Sequence, residues 1–149
     1  MKKLFVFTDG GARGNPGPAA IGVIIKTETE QILAKLSRRI GITTNNLAEY
    51  SAVIAALKWI EEKGSAKGSS PALDTTGNQA RITFFLDSVL VVNQLNGLFK
   101  VKDNELREKI MEIRQLEQAV GGNVVYNVIP REKNWQADAL VNQALDNQY

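Results

Sequence analysis

Residues 3–40 hold three apolar, strand-forming segments separated only by short turns, and every later strand-like run is fenced by helical ones. Segment 3–9 is rich in β-favouring residues and stops at Gly10-Gly11. Residues 12–18, Ala-Arg-Gly-Asn-Pro-Gly-Pro, are a turn by composition. Residues 20–28 and 31–40 are the next two strands, with Thr27-Glu28-Thr29-Glu30 as a polar hairpin connection. Strands this close in sequence favour an antiparallel meander, because parallel neighbours need a long crossover.

The remaining elements alternate. Leu47, Tyr50, Ile54, Leu57 and Ile60 recur at helical spacing, which predicts a helix over 46–62. Asn46 followed by Glu49 resembles a capping box, and Gly64 is a stop signal. Residues 63–80 are rich in Gly, Ser, Thr, Asn and Pro. They read as a mobile loop rather than a domain boundary, because neither half of the chain has a complete pattern alone. A continuous apolar strand follows at 81–87, then a short helix from Ser88 to Asn96, stopped by Gly97. A helix over 104–119 has Leu106, Ile110, Ile113 and Leu116 on one side. A last strand covers 124–129, and Asn134 is placed to cap a final helix running through Asp146. The order β-β-β-α-β-α-α-β-α specifies an α/β domain over residues 1–149, with a mixed sheet and helices on its faces.

Two zeros in the composition then limit the chemistry. The chain has no Cys and no His. Disulfides, thiolate nucleophiles, Cys-ligated zinc, a Ser-His-Asp triad and imidazole acid–base catalysis are all excluded. Any reaction falls to carboxylates, hydroxyls, amines, amides, or hard cations held by oxygen. The formal net charge of +2 is too small to name a partner by bulk electrostatics. At the N-terminus only Leu4 to Phe7 is apolar, too short for a secretory signal or a membrane span, so the expected location is the cytoplasm.

Four carboxylates stand among apolar neighbours. Asp9 closes the first strand on the side of Phe5 and Phe7; if those rings face the core, Asp9 points at covered space near the sheet's end. Asp87 terminates the apolar run Ile82 to Leu86. Glu49 lies early in its helix, on a face continued by Val53, Ala56 and Ile60. Asp138 sits between Ala137 and Ala139, early in the last helix. Singly, each has an ordinary explanation. Helix dipoles favour acids in first turns, and Asp often serves a turn at a strand end. Together they are harder to dismiss. If the central strands are adjacent, two strand ends meet two helix starts. Four acids in one place repel each other, and a divalent cation resolves the conflict. Oxygen ligands suit Mg²⁺ or Mn²⁺, and a pair of such ions serves phosphodiester chemistry without His or Cys.

These residues carry a resemblance. Thr8-Asp9-Gly10-Gly11-Ala12-Arg13-Gly14-Asn15-Pro16-Gly17 resembles the opening motif of type 1 ribonuclease H. Thr44-Asn45-Asn46-Leu47-Ala48-Glu49-Tyr50 resembles its second motif. Leu86-Asp87-Ser88, followed by Val91 to Gly97, resembles the third. Arg131-Glu132-Lys133-Asn134 through Ala137-Asp138-Ala139-Leu140 resembles the fourth. The four occur in the family's order and span nearly the whole chain, each holding its acid. The resemblance implies a ribonuclease H-like fold, with a five-stranded mixed sheet in the order 3-2-1-4-5 and helices on both faces. It implies endonucleolytic hydrolysis of the RNA strand of RNA/DNA hybrids, leaving 3′-hydroxyl and 5′-phosphate ends. It implies two Mg²⁺ ions on Asp9, Glu49, Asp87 and Asp138, with Mn²⁺ able to substitute.

A hybrid-cleaving enzyme must sense 2′-hydroxyls on one strand. Gly10, Gly11, Asn15, Asn45 and Asn46 supply small residues and amides beside Asp9 and Glu49, and the family similarly uses these segments on the minor groove. The ordinary alternatives are a tight turn over Gly14 to Gly17 and a helix cap at Asn46. Arg13 either contacts phosphate or is solvated. Ser88 either orients Asp87 or caps the short helix. Trp59 and Trp135 read as packing residues.

Two departures from the family stand out. Many bacterial members carry a His before the last helix; here Arg131 and Glu132 occupy that loop, as in the archaeal-like branch. The basic handle of many bacterial members is also missing, since only Leu98 to Asp103, with two lysines, fills its place. The expected partner is an RNA/DNA hybrid, with no membrane and no obligate protein partner, so the chain is expected to be a monomer. The competing readings are a non-catalytic hybrid- or duplex-binding module and another nuclease of the same fold.

Overall fold

The computed structural model describes residues 3–65 and 80–147, so most of the expected 63–80 loop lies outside the described residues. Strands β1 (Lys3–Ala12), β2 (Gly17–Thr27) and β3 (Ile32–Thr43) form the antiparallel meander. Helix α1 (Asn45–Ser65) leads towards β4 (Arg81–Leu86), which lies parallel to β1. Helices α2 (Val89–Leu95) and α3 (Asn104–Ala119) precede β5 (Val124–Val128), parallel to β4. A 3₁₀ turn over Arg131–Asn134 then opens α4 (Trp135–Asp146). The five-stranded sheet has the expected order β3-β2-β1-β4-β5.

β1 does not end at Asp9. Its ladder with β2 continues through Gly10 and Gly11 to Ala12, paired with Ala19. Its parallel ladder with β4 stops earlier, at Phe7 opposite Phe85. Asp9 and Asp87 therefore each lie two residues past the last parallel pair, where β1 and β4 part. This is also where a parallel neighbour gives way to an antiparallel one, the kind of strand-end crevice in which α/β sheets bind ligands.

The faces of the sheet are unequal. Leu4, Val6, Val23, Ile25, Ile82 and Phe84 join one core with α1, α2 and α3. α1 is sandwiched between sheet and α3, which explains why Tyr50, Ala52, Val53, Ala56 and Leu57 are all buried around its circumference. On the other face, α4 crosses β2 and packs Val141, Ala144 and Leu145 on Ala20. Gly22 permits this approach, because a Cβ there would strike the Ala137 carbonyl and sit 3.0 Å from Leu140 Cβ. Strand β3 holds α4 from the side. Ser37 Oγ donates to Leu140 O at 2.6 Å, and Arg39 donates to the carbonyls of Ala144 and Leu145, both at 2.9 Å. Those last-turn carbonyls have no partners inside the helix, and a cation suits them.

Phe5 and Phe7 lie on this second, thinner-covered face and are half-buried, stacked and tilted against Phe85. They do not face the main core, which takes Leu4 and Val6 instead. The alternation alone could not say which of two apolar faces would attract more helices. Trp59 packs against the core, but Trp135 is 63% exposed and is not a packing residue. Asn46 does not cap α1; Thr44 does, its Oγ1 accepting from Leu47 N at 3.3 Å and its carbonyl from Ala48 N at 3.0 Å. The Thr44 hydroxyl oxygen accepts as an Asn carboxamide oxygen would, two residues earlier than expected.

Candidate active site

The strand tips and helix starts meet at one open cleft of about 410 Å³. Asp9 comes from β1, Glu49 from the first turns of α1, Asp87 from the residue after β4, and Asp138 from the first turn of α4. All four line it. Oxygen atoms of Asp9, Glu49 and Asp87 lie within 4.8 Å of one another. Asp138 stands outside that trio, exposed on the rim, where the Asn142 amide donates to its Oδ2 at 3.4 Å.

Backbone proximity makes the cluster. Gly10 lies against α1, where a Cβ would run into the Ala48 carbonyl and come 2.6 Å from Glu49 N. The glycine lets β1 slide beneath the helix start, so Glu49 arrives beside Asp9. Gly10 N also donates to Asp9 Oδ1 at 3.0 Å. Gly10 thus acts through packing as well as lying in the cleft wall.

The electrostatics are those of acids crowded out of water. Burial, then the Asp87 charge, push the Asp9 carboxyl up to about 7. Burial, then the Asp9 charge, raise Glu49 well above the usual carboxylate range. Glu49 Oε2 is buried without a hydrogen-bond partner. Among the described residues no ion pair engages any of the four acids. Buried carboxylates with no basic partner and an orphaned oxygen fit a hard divalent cation, which takes oxygen ligands only.

The flanking residues divide. Gly11, Arg13, Asn45, Asn46, Ser88 and Arg131 also line the cleft. Asn15 does not; its Oδ1 accepts from Asn45 N at 3.0 Å, and Asn45 Oδ1 accepts from Ala12 N at 2.8 Å. These bonds lace the β1–β2 turn to the start of α1. Arg13 pairs with Asp146 of α4 at 2.6 Å across an exposed stretch. Ser88 caps α2, its Oγ accepting from Val91 N at 3.2 Å. Of the two readings of Ser88, the cap is the one the structure shows, and it sits at the cleft wall.

Two residues at the acids have no site role in the sequence reading. Asn142 escaped because an exposed helical Asn carries no signal of its own. Asn134 was read as a helix cap, yet its side chain makes no capping bond. Instead its amide is fully buried, donating to Thr8 O at 2.9 Å and Asp87 Oδ2 at 3.1 Å.

Comparison with known proteins gives this geometry a context. A family model described as RNase H matches residues 1–146. The solved structure of LC11-RNase H1 in complex with an RNA/DNA hybrid is 43% identical, covers 97% of each chain and superposes with a TM-score of 0.85. Ribonuclease HI of Halobacterium salinarum is 37% identical over 144 residues, which span 97% of this chain and 65% of that protein. Bifunctional protein Rv2228c of Mycobacterium tuberculosis is 34% identical over 145 residues, 97% of this chain but 36% of that one. The chain therefore spans between about a third and two thirds of these curated relatives.

Proposed function

The chain belongs to the RNase H family, and from that premise we propose that it is a metal-dependent endoribonuclease that hydrolyses the RNA strand of RNA/DNA hybrids, leaving 3′-hydroxyl and 5′-phosphate ends. One observation carries the reading: three acids from separate elements converge within 4.8 Å, two of them buried, with no basic partner among the described residues. Asp9, Glu49, Asp87 and Asp138 would hold two Mg²⁺ ions, or Mn²⁺ in their place, supplying Lewis-acid stabilisation of charge at the scissile phosphate.

The chain's own groups do the rest. Asp9 and Glu49 are the buried acids of the cleft, and each is biased towards holding a proton until a cation replaces it. Asn45 and Asn46 present amides at the cleft, able both to donate to and to accept from a 2′-hydroxyl. Asn15 fixes the Asn45 backbone. Gly10 and Gly11 line the cleft beside Asp9, and Gly10 keeps Glu49 close by admitting the start of α1. Arg13 and Arg131 supply guanidinium groups for phosphates, with Arg131 in the loop where many bacterial members carry His. Ser88 anchors α2 beside Asp87. LC11-RNase H1, solved with a hybrid, supports the substrate class.

The same reading takes the chain as one catalytic domain, working as a monomer in the cytoplasm. Among the described residues no helix is long and apolar enough to cross a membrane. Cleavage of an end-labelled hybrid with Mg²⁺, Mn²⁺ or chelator tests the activity. RNA/RNA and DNA/DNA duplexes run in parallel separate a hybrid-specific enzyme from another nuclease of this fold. Tight hybrid binding without metal-dependent cleavage would instead mark a binding module.

A further inference from the structure

We propose that Asn134 is a positioning residue for Asp87: a buried amide that ties the third acid to the β1 backbone and so sets the carboxylate's presentation to a divalent cation. This inference rests on the metal-site reading above and adds a residue to it.

The burial of Asn134 needs a reason. Among the described residues the buried polar or charged side chains are Thr8, Asp9, Glu49 and Asn134, all at this end of the sheet. Asn134 is 0% exposed, and a buried amide is costly unless its hydrogen bonds are made. Its Nδ2 makes two, to Thr8 O on β1 and to Asp87 Oδ2 after β4. Both partners are oxygen acceptors, so the amide's orientation is fixed; flipped, its oxygen would face two others. Its own Oδ1 is buried without a partner. A pure packing residue such as Leu would avoid that cost. A helix cap would not explain it either, because the side chain makes no capping bond to α4.

What the amide does is span the gap where β1 and β4 part. Asp87 lies beyond the last β1–β4 pair, so no ladder holds it against β1. Among the described residues, Asn134 is the only hydrogen-bond donor to its carboxylate. Through Thr8, the residue before Asp9, the same amide references Asp87 to the first acid. The oxygens of Asp9 and Asp87 must keep a fixed separation to share a cation, and this bridge sets it. Carboxylates that bind metals are commonly held by such partners, and losing one lowers metal affinity by about 10–100-fold.

The test is calorimetric titration of Mn²⁺ into the full chain, beside hybrid binding measured in chelator. Asn134→Ala is expected to weaken Mn²⁺ binding by roughly tenfold, while hybrid affinity in chelator stays within about twofold of wild type. Unchanged Mn²⁺ affinity overturns the proposal. So does an equal loss in both measurements, which would mark a general structural role. Urea unfolding checks that the variant is folded; if it is not, Asn134→Ser, too short to reach Asp87, is read the same way. A wild-type chain that takes up no Mn²⁺ would overturn the metal-site reading itself, a result distinct from a wild-type chain that binds Mn²⁺ as tightly as its Asn134 variant.

Discussion

Gly10 and Glu49 touch through their backbones: a methyl group on Gly10 would lie 2.6 Å from the Glu49 nitrogen and would overlap the Ala48 carbonyl. The obstacle is main chain, so no side-chain rotation relieves it. Gly10→Ala must push the start of α1 away from β1, and Glu49 with it. The expected cost is about 3 kcal/mol of stability, at the upper end of overpacking effects. Urea denaturation measures that loss. A fully stable Gly10→Ala with normal Mn²⁺ affinity would show that the helix start is free to move.

How far the sequence foretold this site differs from one residue to the next. The meander and the alternating helices followed from periodicity, whereas the convergence of Asp9, Glu49 and Asp87 depended on β1 and β4 being neighbours, an order that only the resemblance implied. The facing of Phe5 and Phe7 did not follow from periodicity either, because both faces of β1 are apolar and only tertiary packing decided which received α1 and α3. Gly10-Gly11 read as a strand end by local propensity, whereas the close approach of α1 needs glycine within a continuing strand. Asn134 stands where a cap is expected, and its amide serves long-range partners instead. Local rules are broken here where residues have been committed to the site.

Stability should depend on pH in an unusual direction. Folding raises Asp9 from 3.8 to about 7, and it raises Glu49 above 4.5. The folded chain then holds protons that the unfolded chain has released, so stability falls as pH rises between those values. The Asp9 contribution is fully present below about pH 4 and is lost as pH rises through about 7, and Glu49 adds a loss in the same direction. In chelator, the melting temperature should drop from about pH 5 to about pH 8, and Asp9→Asn should flatten the drop. Divalent metal should raise the melting temperature more at the higher pH, where no proton competes for the oxygens. Scanning calorimetry decides; a metal-free chain whose stability climbs over that range would contradict the burial of these acids.

Asn15 should act through Asn45. The Asn15 carboxamide holds the Asn45 backbone, and the Asn45 carboxamide holds Ala12. Asn15→Ala and Asn45→Ala should each raise KM for a hybrid several-fold. The double variant should be little worse than Asn45→Ala alone, a coupling of about 1 kcal/mol or more. Steady-state kinetics on all four proteins gives the number. Effects that simply add would mean that Asn15 meets substrate independently.

Asp138 should matter less than Asp87. Asp87 belongs to the trio within 4.8 Å, whereas Asp138 is exposed on the rim and its described hydrogen bond, from Asn142, is long at 3.4 Å. A carboxylate that is already solvated gives up little when neutralised, and water can stand in for a ligand at an open position. Removing a central ligand forfeits several kcal/mol of charge stabilisation, so Asp87→Asn should lower cleavage by roughly a thousandfold or more. Asp138→Asn should cost about tenfold to a hundredfold, part of it recovered at saturating Mn²⁺. Asp87→Asn should also raise the melting temperature in chelator, because Asp9 and Glu49 both lose a repelling neighbour. Single-turnover cleavage and calorimetry on the two variants settle the ranking. Equal losses at both positions would mean that Asp138 closes onto the trio when substrate binds, and that the rim position is only its resting place.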